Sequence, residues 1–541
     1  MREVRGPALV ATRILLAALL LLGLWLRVQQ LPDQVVADDE FHALRMALAS
    51  TPLDAVASFG TADHSIPLVL YDQFLLATVG ASELTLRLPM LLAGVGLLLL
   101  LAFGAQAWLP VSARLAAVAL VATSPILVNF SRYARPYALT AFVATLGWLA
   151  FWRYWRGGAA RFAALWAACV AFGAWLHLAA VPALLAPALV AAVAARLPGV
   201  RAERRTLAEV AAWSGAALAG TLALLAVPLA NDLAALRDKA GAAAQQPWDP
   251  MAVAGLLGGT AEPLLLVVLA GLAVAGAWWL GRADRLGLAY LLAVVLAPLA
   301  AVVVVRPVAV EVPIVAARYL LTALPVVLVL VALGVGAAET LLARRVPALP
   351  RGLLGLALAA VVFLCGPGPE LLRAPQAFPH HAAFQYGYDP ARNPYRGLAA
   401  WADAPFLREL GRAPAGSQRV LVTPFFYDFA RMPQPFAQAV HRQRCGVAFL
   451  GEVLGVTGEQ ALPSGHAGLR LAQTTHLASA DRLRALGFDL LVLDKVLLRR
   501  GAQLPEGEAT EAALRAAVAR LAQSYGAPLH DDAWLAAWRL R

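Results

Sequence analysis

The chain has 541 residues, of which 61% are hydrophobic and only 14% charged; its mean hydropathy is +0.69. A soluble globular protein is excluded by that balance. The net charge of +11 would suggest nucleic acid in a soluble protein. Here the arginines are scattered through short loops between apolar runs, so nucleic acid is excluded as a partner and the basic residues read as a topology signal.

In chain order, apolar runs of spanning character fall at about 8–28, 88–109, 115–131, 137–152, 162–177, 178–195, 208–229, 255–280, 287–305, 316–338 and 352–366. The stretch 88-LPMLLAGVGLLLLLAFGAQAWL-109 has no charge over about 20 residues, the length of a membrane-crossing helix. The first run is too long, and the sequence after it too apolar, for a cleaved leader, so it reads as a retained span. With Arg2 and Arg5 inside, the alternate loops place Arg114, Arg153, Arg156, Arg161, Arg196, Arg201, Arg204, Arg205, Arg282, Arg285, Arg344, Arg345 and Arg351 on the same side. The acids Asp38, Asp39, Glu40, Asp63, Asp72, Asp232, Asp238, Asp249 and Glu311 collect on the other. The segment 66-IPLVLYDQFLLATVG-80 is too short to span, and a span there would reverse the arginine bias. It reads as a helix lying on the outer surface with Asp72 on its wet face. Eleven spans result, thirteen at the upper bound, because Pro and Gly interrupt the runs near 178–195 and 252–280.

Past Gly366 the composition turns polar. The runs 418-QRVLVTP-424 and 489-DLLVLD-494 suit buried strands, 479–487 and 509–526 have helical spacing, and 528–540 reads as a last strand. The division expected is a membrane domain at 1–366, with a large external loop at 31–87 carrying surface helices, and an outer α/β domain at 367–541. No Gly-rich phosphate loop occurs in it. Cys169, Cys365 and Cys445 show neither a disulfide framework nor metal-ligand spacing, and His380, His381 and His441 have no zinc-like spacing.

Ionisable groups at span ends are costly and read as functional by default. They are Asp39 and Glu40, Asp63 and His64, Arg87, Arg132 and Arg135, His177, and Arg306, Arg318 and Tyr319. A lone arginine at a span end is more often a snorkelling anchor, the reading adopted for Arg306. His177 is as well explained by packing as by function. Three adjacent acids, Asp38–Glu40, repel one another, and a solvated turn explains that clustering poorly. Carboxylates can take a proton from a hydroxyl, and arginines can grip a phosphate. At a lipid surface the two together describe transfer of a group from a lipid phosphate to an acceptor hydroxyl. A transporter or flippase of a lipid-linked glycan would use a similar basic cavity, but the internal repeats such proteins often show are not seen. A structural membrane subunit would leave the cluster without a role.

The order 38-DDEFHAL-44, 63-DHSIPL-68, Gly80, 86-LRLP-89, 124-SPILVNFSRYARPYAL-139 and 317-ARYLLTALP-325 resembles the protein O-mannosyltransferase and lipid A aminoarabinose transferase superfamily of GT-C glycosyltransferases (glycosyltransferase family 39-like), over roughly residues 10–340. The resemblance implies a GT-C fold and inverting transfer of a hexosyl or pentosyl sugar from a polyprenyl-phosphate donor. The acceptor would be a lipid, glycan or protein hydroxyl at the outer face of a bacterial inner membrane. It implies Asp39 as general base and Glu40 as the residue that orients the site. It places Asp38, Asp63, His64, Arg87, Arg132, Arg135, Arg318 and Tyr319 around the substrates. Ile66 replaces the first of two prolines in the family's second loop motif, and 136-PYALT-140 lacks an acid found downstream in relatives. No cofactor is required by such a transfer; some members use a divalent cation at a similar first-loop acid.

Overall fold

A computed structural model describes residues 7–540 apart from 61–64, 107–108, 197–205, 242–248, 308, 348–349, 380–403, 424–433, 448–476, 497 and 499–507. Among the described residues, each of the eleven apolar runs is mainly helical, the run at 316–338 being broken by a turn at 320–323. The helices concerned are α1 (Pro7–Val28), α5 (Glu83–Leu99), α6 (Val111–Thr123) with α7 (Pro125–Ser131), α8 (Tyr137–Trp155), α9 (Ala160–Leu176) and α10 (Val181–Ala194). They continue with α11 (Leu207–Gly241), α13 (Pro263–Ala283), α14 (Arg285–Val305), α16 (Leu324–Ala343) and α17 (Leu353–Cys365). Among the described residues, 6 helices are long and apolar enough to cross a membrane, or 7 when the bent pair α6–α7 counts as one. This is a multi-pass membrane protein. The shorter helices α9, α10 and α17 have 17, 14 and 13 residues. The breaks have local causes. Ser124 and Pro125 interrupt α6–α7, which turns by 56°, since proline cannot donate the next helical bond. The expected 255–280 run is α12 (Pro250–Gly258) plus α13, separated at Gly259, where φ is +80°.

Helices α13 and α16 approach closely through Gly276 and Gly334. A Cβ at Gly276 would run into the carbonyl of Leu330, and one at Gly334 into that of Leu272. Small residues of this kind are what bring backbones together in a membrane, where water does not drive association.

Between α1 and α5 lie α2 (Phe41–Ala49), α3 (Pro52–Ala57) and α4 (Ile66–Ala77). The segment expected to lie on the outer surface is the short helix α4, and Asp72 is not on a wet face. It is 4% exposed, because α4 packs against α2, α3 and α9, and burial raises its carboxyl well above the ordinary value.

The tail contains a five-stranded sheet in the order β2-β1-β3-β5-β4. Strands β1 (Arg419–Thr423), β2 (Arg444–Val447) and β3 (Leu490–Asp494) are parallel, with Val422 opposite both Val447 and Val492. The apolar run of β3 is buried throughout, as expected of a central parallel strand. The single strand expected over 528–540 is a hairpin, β4 (His530–Asp531) and β5 (Leu535–Arg539), with β5 antiparallel to β3. Asp532 makes the turn by accepting from the amides of Trp534 and Leu535, a local bond typical of aspartate. Cys169 and Cys445 are buried, Cys365 is exposed, and all three are free.

Candidate active site

The acid triplet forms a single 3-10 turn, Asp38–Glu40, at the start of α2. With about three residues per turn, consecutive side chains leave it in different directions. Glu40 points inward and is 1% exposed. Its Oε1 accepts from Arg87 Nε at 2.7 Å and from the amide of Ala134 at 2.8 Å. Its Oε2 accepts from Arg87 Nη2 at 2.7 Å and from the amide of Ala37 at 3.1 Å. Arg87 also donates to the carbonyls of Gln34 and Val35, at 2.7 and 2.9 Å. One buried bidentate pair thus ties segment 34–37, helix α5 and the 132–136 turn together.

Arg87 and Arg132, expected among the phosphate-binding arginines, are both 0% exposed and are occupied by protein atoms. Arg132 donates to the carbonyls of Arg27, Gln29 and Pro375 at 3.1, 2.9 and 2.7 Å. Helix α1 ends and α7 breaks beside it, leaving carbonyls that a guanidinium can satisfy. Arg87 is engaged by protein atoms through all three nitrogens and builds the site's wall; Arg132 is engaged through both terminal nitrogens, while its buried Nε has no hydrogen-bond partner.

Asp39 faces the other way and is 20% exposed. Arg318, in α15 (Pro313–Tyr319), donates from Nη1 to Asp39 Oδ2 at 2.6 Å. Arg135 Nε stands 3.9 Å from the same oxygen, and His42 Nε2 stands 3.6 Å from Oδ1. Arg135 Nη1 lies 3.2 Å from His42 Nδ1. A guanidinium can only donate, so Nδ1 is the acceptor and the neutral imidazole carries its hydrogen on Nε2, toward Asp39. Burial alone would raise the Asp39 carboxyl, but Arg135 and Arg318 hold it well below the usual carboxylate range. Burial, then Arg135, pushes His42 down to about 4.

Above this cluster sit three rings. Tyr137 and Tyr319 are each 5.6 Å from His177, centroid to centroid, and 6.5 Å from each other. The Arg318 guanidinium lies 5.1 Å from the centre of the Tyr137 ring and Arg135 5.8 Å, within cation–π range. Tyr137 is 2% exposed, yet its hydroxyl has no hydrogen-bond partner, nor has Nε of Arg135 or of Arg318. Three donors in one place are unsatisfied. Tyr319 and His177 also line a mainly apolar cavity of about 290 Å³ together with Phe59, Trp175, Val302 and Pro307.

Of the residues singled out from the sequence, Asp39, Arg135, Arg318 and Tyr319 converge, with Glu40 directly behind. Asp63 and His64 lie outside the described residues, as do His380 and His381, and of Asp38 only the backbone is described. Arg306 ends α14 and stays exposed. His177 belongs to the cavity. His42 and Tyr137 were not singled out. His42 lies one turn after Asp39 in 38-DDEFHAL-44, and spacing of three residues places two side chains on one face. Nothing in the sequence distinguishes Tyr137 from its neighbours. Among the described residues no group of three or more His, Cys, Asp or Glu converges, and two guanidiniums beside Asp39 disfavour a divalent cation there.

No protein-family model and no curated protein matches the chain. Solved structures are similar in overall chain path at low identity. One is ArnT from Cupriavidus metallidurans in the apo state (13% identity, 99% of this chain and 98% of that one, TM-score 0.46). Another is the archaeal oligosaccharyltransferase AglB from Archaeoglobus fulgidus in complex with an inhibitory peptide and a dolichol-phosphate (12%, 91% and 71%, TM-score 0.41). A third is the arabinofuranosyltransferase AftD from Mycobacteria (18%, 98% and 41%, TM-score 0.39).

Proposed function

We propose that the chain is an inverting GT-C glycosyltransferase. It moves a hexosyl or pentosyl sugar from a polyprenyl-phosphate donor to an acceptor hydroxyl at the outer face of a bacterial inner membrane. In this reading residues 1–366 form the membrane domain with a cytoplasmic N-terminus, and 367–541 form a periplasmic α/β domain. The observation that carries it is the juxtaposition of an accessible carboxylate, Asp39, with unsatisfied donors of Arg135, Arg318 and Tyr137 beside an apolar cavity. Donors without acceptors suit a phosphate with several oxygens, and the apolar lining suits the first units of a lipid tail. Arg87 and Arg132 are withdrawn from phosphate binding; Arg135 and Arg318 remain.

In the transfer, the acceptor oxygen bonds to the anomeric carbon from the face opposite the lipid phosphate. Its proton passes to Asp39. The bond from the anomeric carbon to the phosphate oxygen breaks with its electron pair on that oxygen, and Arg135 and Arg318 stabilise the charge that develops. The lipid carrier stays in the membrane, and no nucleotide takes part.

The test is mass spectrometry of lipids, polysaccharide and periplasmic proteins from a deletion strain, complemented with wild type or with Asp39→Asn. Wild type restores a hexose- or pentose-sized mass and the variant does not, while both accumulate in the membrane to equal levels. Restoration by both removes Asp39 as the base. No glycan change at all favours a transporter.

A further inference from the structure

In the resting protein Asp39 is paired with a cation, and a base so paired is a poor one. The Asp39–Arg318 contact is 2.6 Å, with Arg135 on the same oxygen at 3.9 Å. A carboxylate held well below its usual range accepts a proton from a hydroxyl only at a large cost. The cradle around it is nonetheless half empty. Asp39 hydrogen-bonds one nitrogen of Arg318, while Arg318 Nε and the Tyr137 hydroxyl have no hydrogen-bond partner and Arg135 Nε reaches Asp39 only across 3.9 Å. Two guanidiniums side by side also repel and need an anion. One carboxylate oxygen supplies part of that need.

We infer that Asp39 is a stand-in anion: it occupies the phosphate cradle of Arg135, Arg318 and Tyr137 until the donor phosphate displaces it, and only the displaced carboxylate serves as base. This rests on the transferase reading. The donor phosphate carries two unesterified oxygens, enough to satisfy the three idle donors that Asp39 leaves unmet. Two anions cannot share the cradle, so the carboxylate turns away. His42 gives it a place to go. The imidazole N–H already faces Asp39 Oδ1 at 3.6 Å, and a short rotation closes a hydrogen bond. A carboxylate held by a neutral N–H is more basic than one held by a guanidinium. Donor binding therefore switches the base on, and the acceptor is not deprotonated before a donor is present. After transfer the lipid phosphate carries an additional charge and Asp39 holds the acceptor's proton; once that proton passes to solvent, the carboxylate competes with the leaving phosphate for Arg318.

The experiment uses the full-length protein in nanodiscs and undecaprenyl phosphate as the probe, reading affinity from the lipid-dependent rise in melting temperature and from direct titration. Asp39→Asn removes the competitor, so the probe binds about tenfold more tightly or better, the scale of one charge-assisted hydrogen bond. Removing any nearby negative charge would give some gain, so the cycle with Arg318→Lys decides. Lysine keeps the charge but not the fork. Displacement from Arg318 predicts that the gain falls to less than threefold in that background; a general charge effect keeps it whole. Tyr137→Phe weakens the probe by a similar factor whether it is made in wild type or together with Asp39→Asn. An Asp39→Asn protein that binds the probe no better than wild type, with a wild-type melting temperature showing that it is folded, overturns the stand-in role and leaves the transferase reading intact. Wild type that shows no saturable binding overturns both.

Discussion

Replacing Glu40 by glutamine tests how the site is held. The side chain keeps its length and loses its charge. Arg87, 0% exposed, is then a buried cation whose paired carboxylate is gone, an arrangement that costs about 3–5 kcal/mol when one partner of a buried pair is removed. The amide nitrogen that replaces one Glu40 oxygen cannot accept. One of the two amides bonded there, Ala134 at 2.8 Å or Ala37 at 3.1 Å, thereby loses its acceptor, about 1–3 kcal/mol more. These terms overlap, so a loss of about 4 kcal/mol is the working figure, large for a protein of any size. The assay is the fraction remaining monodisperse after a temperature ramp, with transfer measured in parallel on the surviving protein. Glu40→Gln loses about 4 °C of heat resistance, the shift expected of about 4 kcal/mol in a chain of this length, and most transfer. The double variant Glu40→Gln with Arg87→Met recovers only part of the heat resistance, since the uncompensated buried charge is gone but the carbonyls of Gln34 and Val35 and one amide stay unpaired. It does not recover transfer, because the carbonyls of Gln34 and Val35 lose the guanidinium that fixes them. Wild-type heat resistance and transfer in Glu40→Gln alone would refute the view that this pair sets the site.

Three other outcomes rest on the same contacts. Gly334→Leu forces a side chain into the Leu272 carbonyl, so α13 and α16 separate and the folded yield after purification drops severalfold, whereas Gly271→Ala, at a position with open space, leaves it unchanged. His42 is held down at about 4 by burial and Arg135, below the value near 6.5 of an unfolded histidine; the unfolded chain binds the extra proton between those values, so stability falls as pH drops from about 6.5 to 4, and melts of His42→Gln across that range show a shallower slope. Gln438→Ala removes the donor to the Asp33 carbonyl and the acceptor for the Val35 amide, at 2.6 and 3.1 Å; transfer falls by tenfold or more, and limited proteolysis cuts the 29–37 segment faster than in wild type.

The membrane helices were legible because the signal is length without charge, and the described residues of all eleven runs are mainly helical. The strands at 419–423 and 490–494 were legible for a similar reason: short apolar runs between polar residues are buried strands. What could not be read was which arginine answers to what. Arg87, Arg132, Arg135 and Arg318 are one residue type at similar positions near span ends. Two of them are consumed by carbonyls and a glutamate, because the chain leaves regular structure at 29–37 and at Pro375. Spacing along the sequence does not show where carbonyls are left open. The split between Asp39 and Glu40 was visible only as adjacency; the 3-10 turn sends one to Arg87 and the other to Arg318. Asp72 failed as a surface residue because the polarity of one side chain does not say which face of a short apolar helix meets the protein.

The segment from Gln29 to Ala37 is the piece of irregular backbone on which the site depends, and its polar groups need partners, as buried backbone always does. The partners come from three distant parts of the chain. Arg132 takes the carbonyl of Gln29, Arg87 those of Gln34 and Val35, and Glu40 the amide of Ala37. Gln438, itself 0% exposed, takes the carbonyl of Asp33 and the amide of Val35, and Arg444 pairs with the Asp33 carboxylate at 2.6 Å. The Arg444 pair contributes little, since its guanidinium is 56% exposed and exposed pairs are worth about 0–1 kcal/mol. Gln438 matters more because its bonds are buried and made to backbone. The composition changes at Gly366, yet a residue 72 positions beyond it completes the hydrogen bonding of the strip that carries Asp39. On the transferase reading, the tail thereby fixes the backbone that leads to the proposed base.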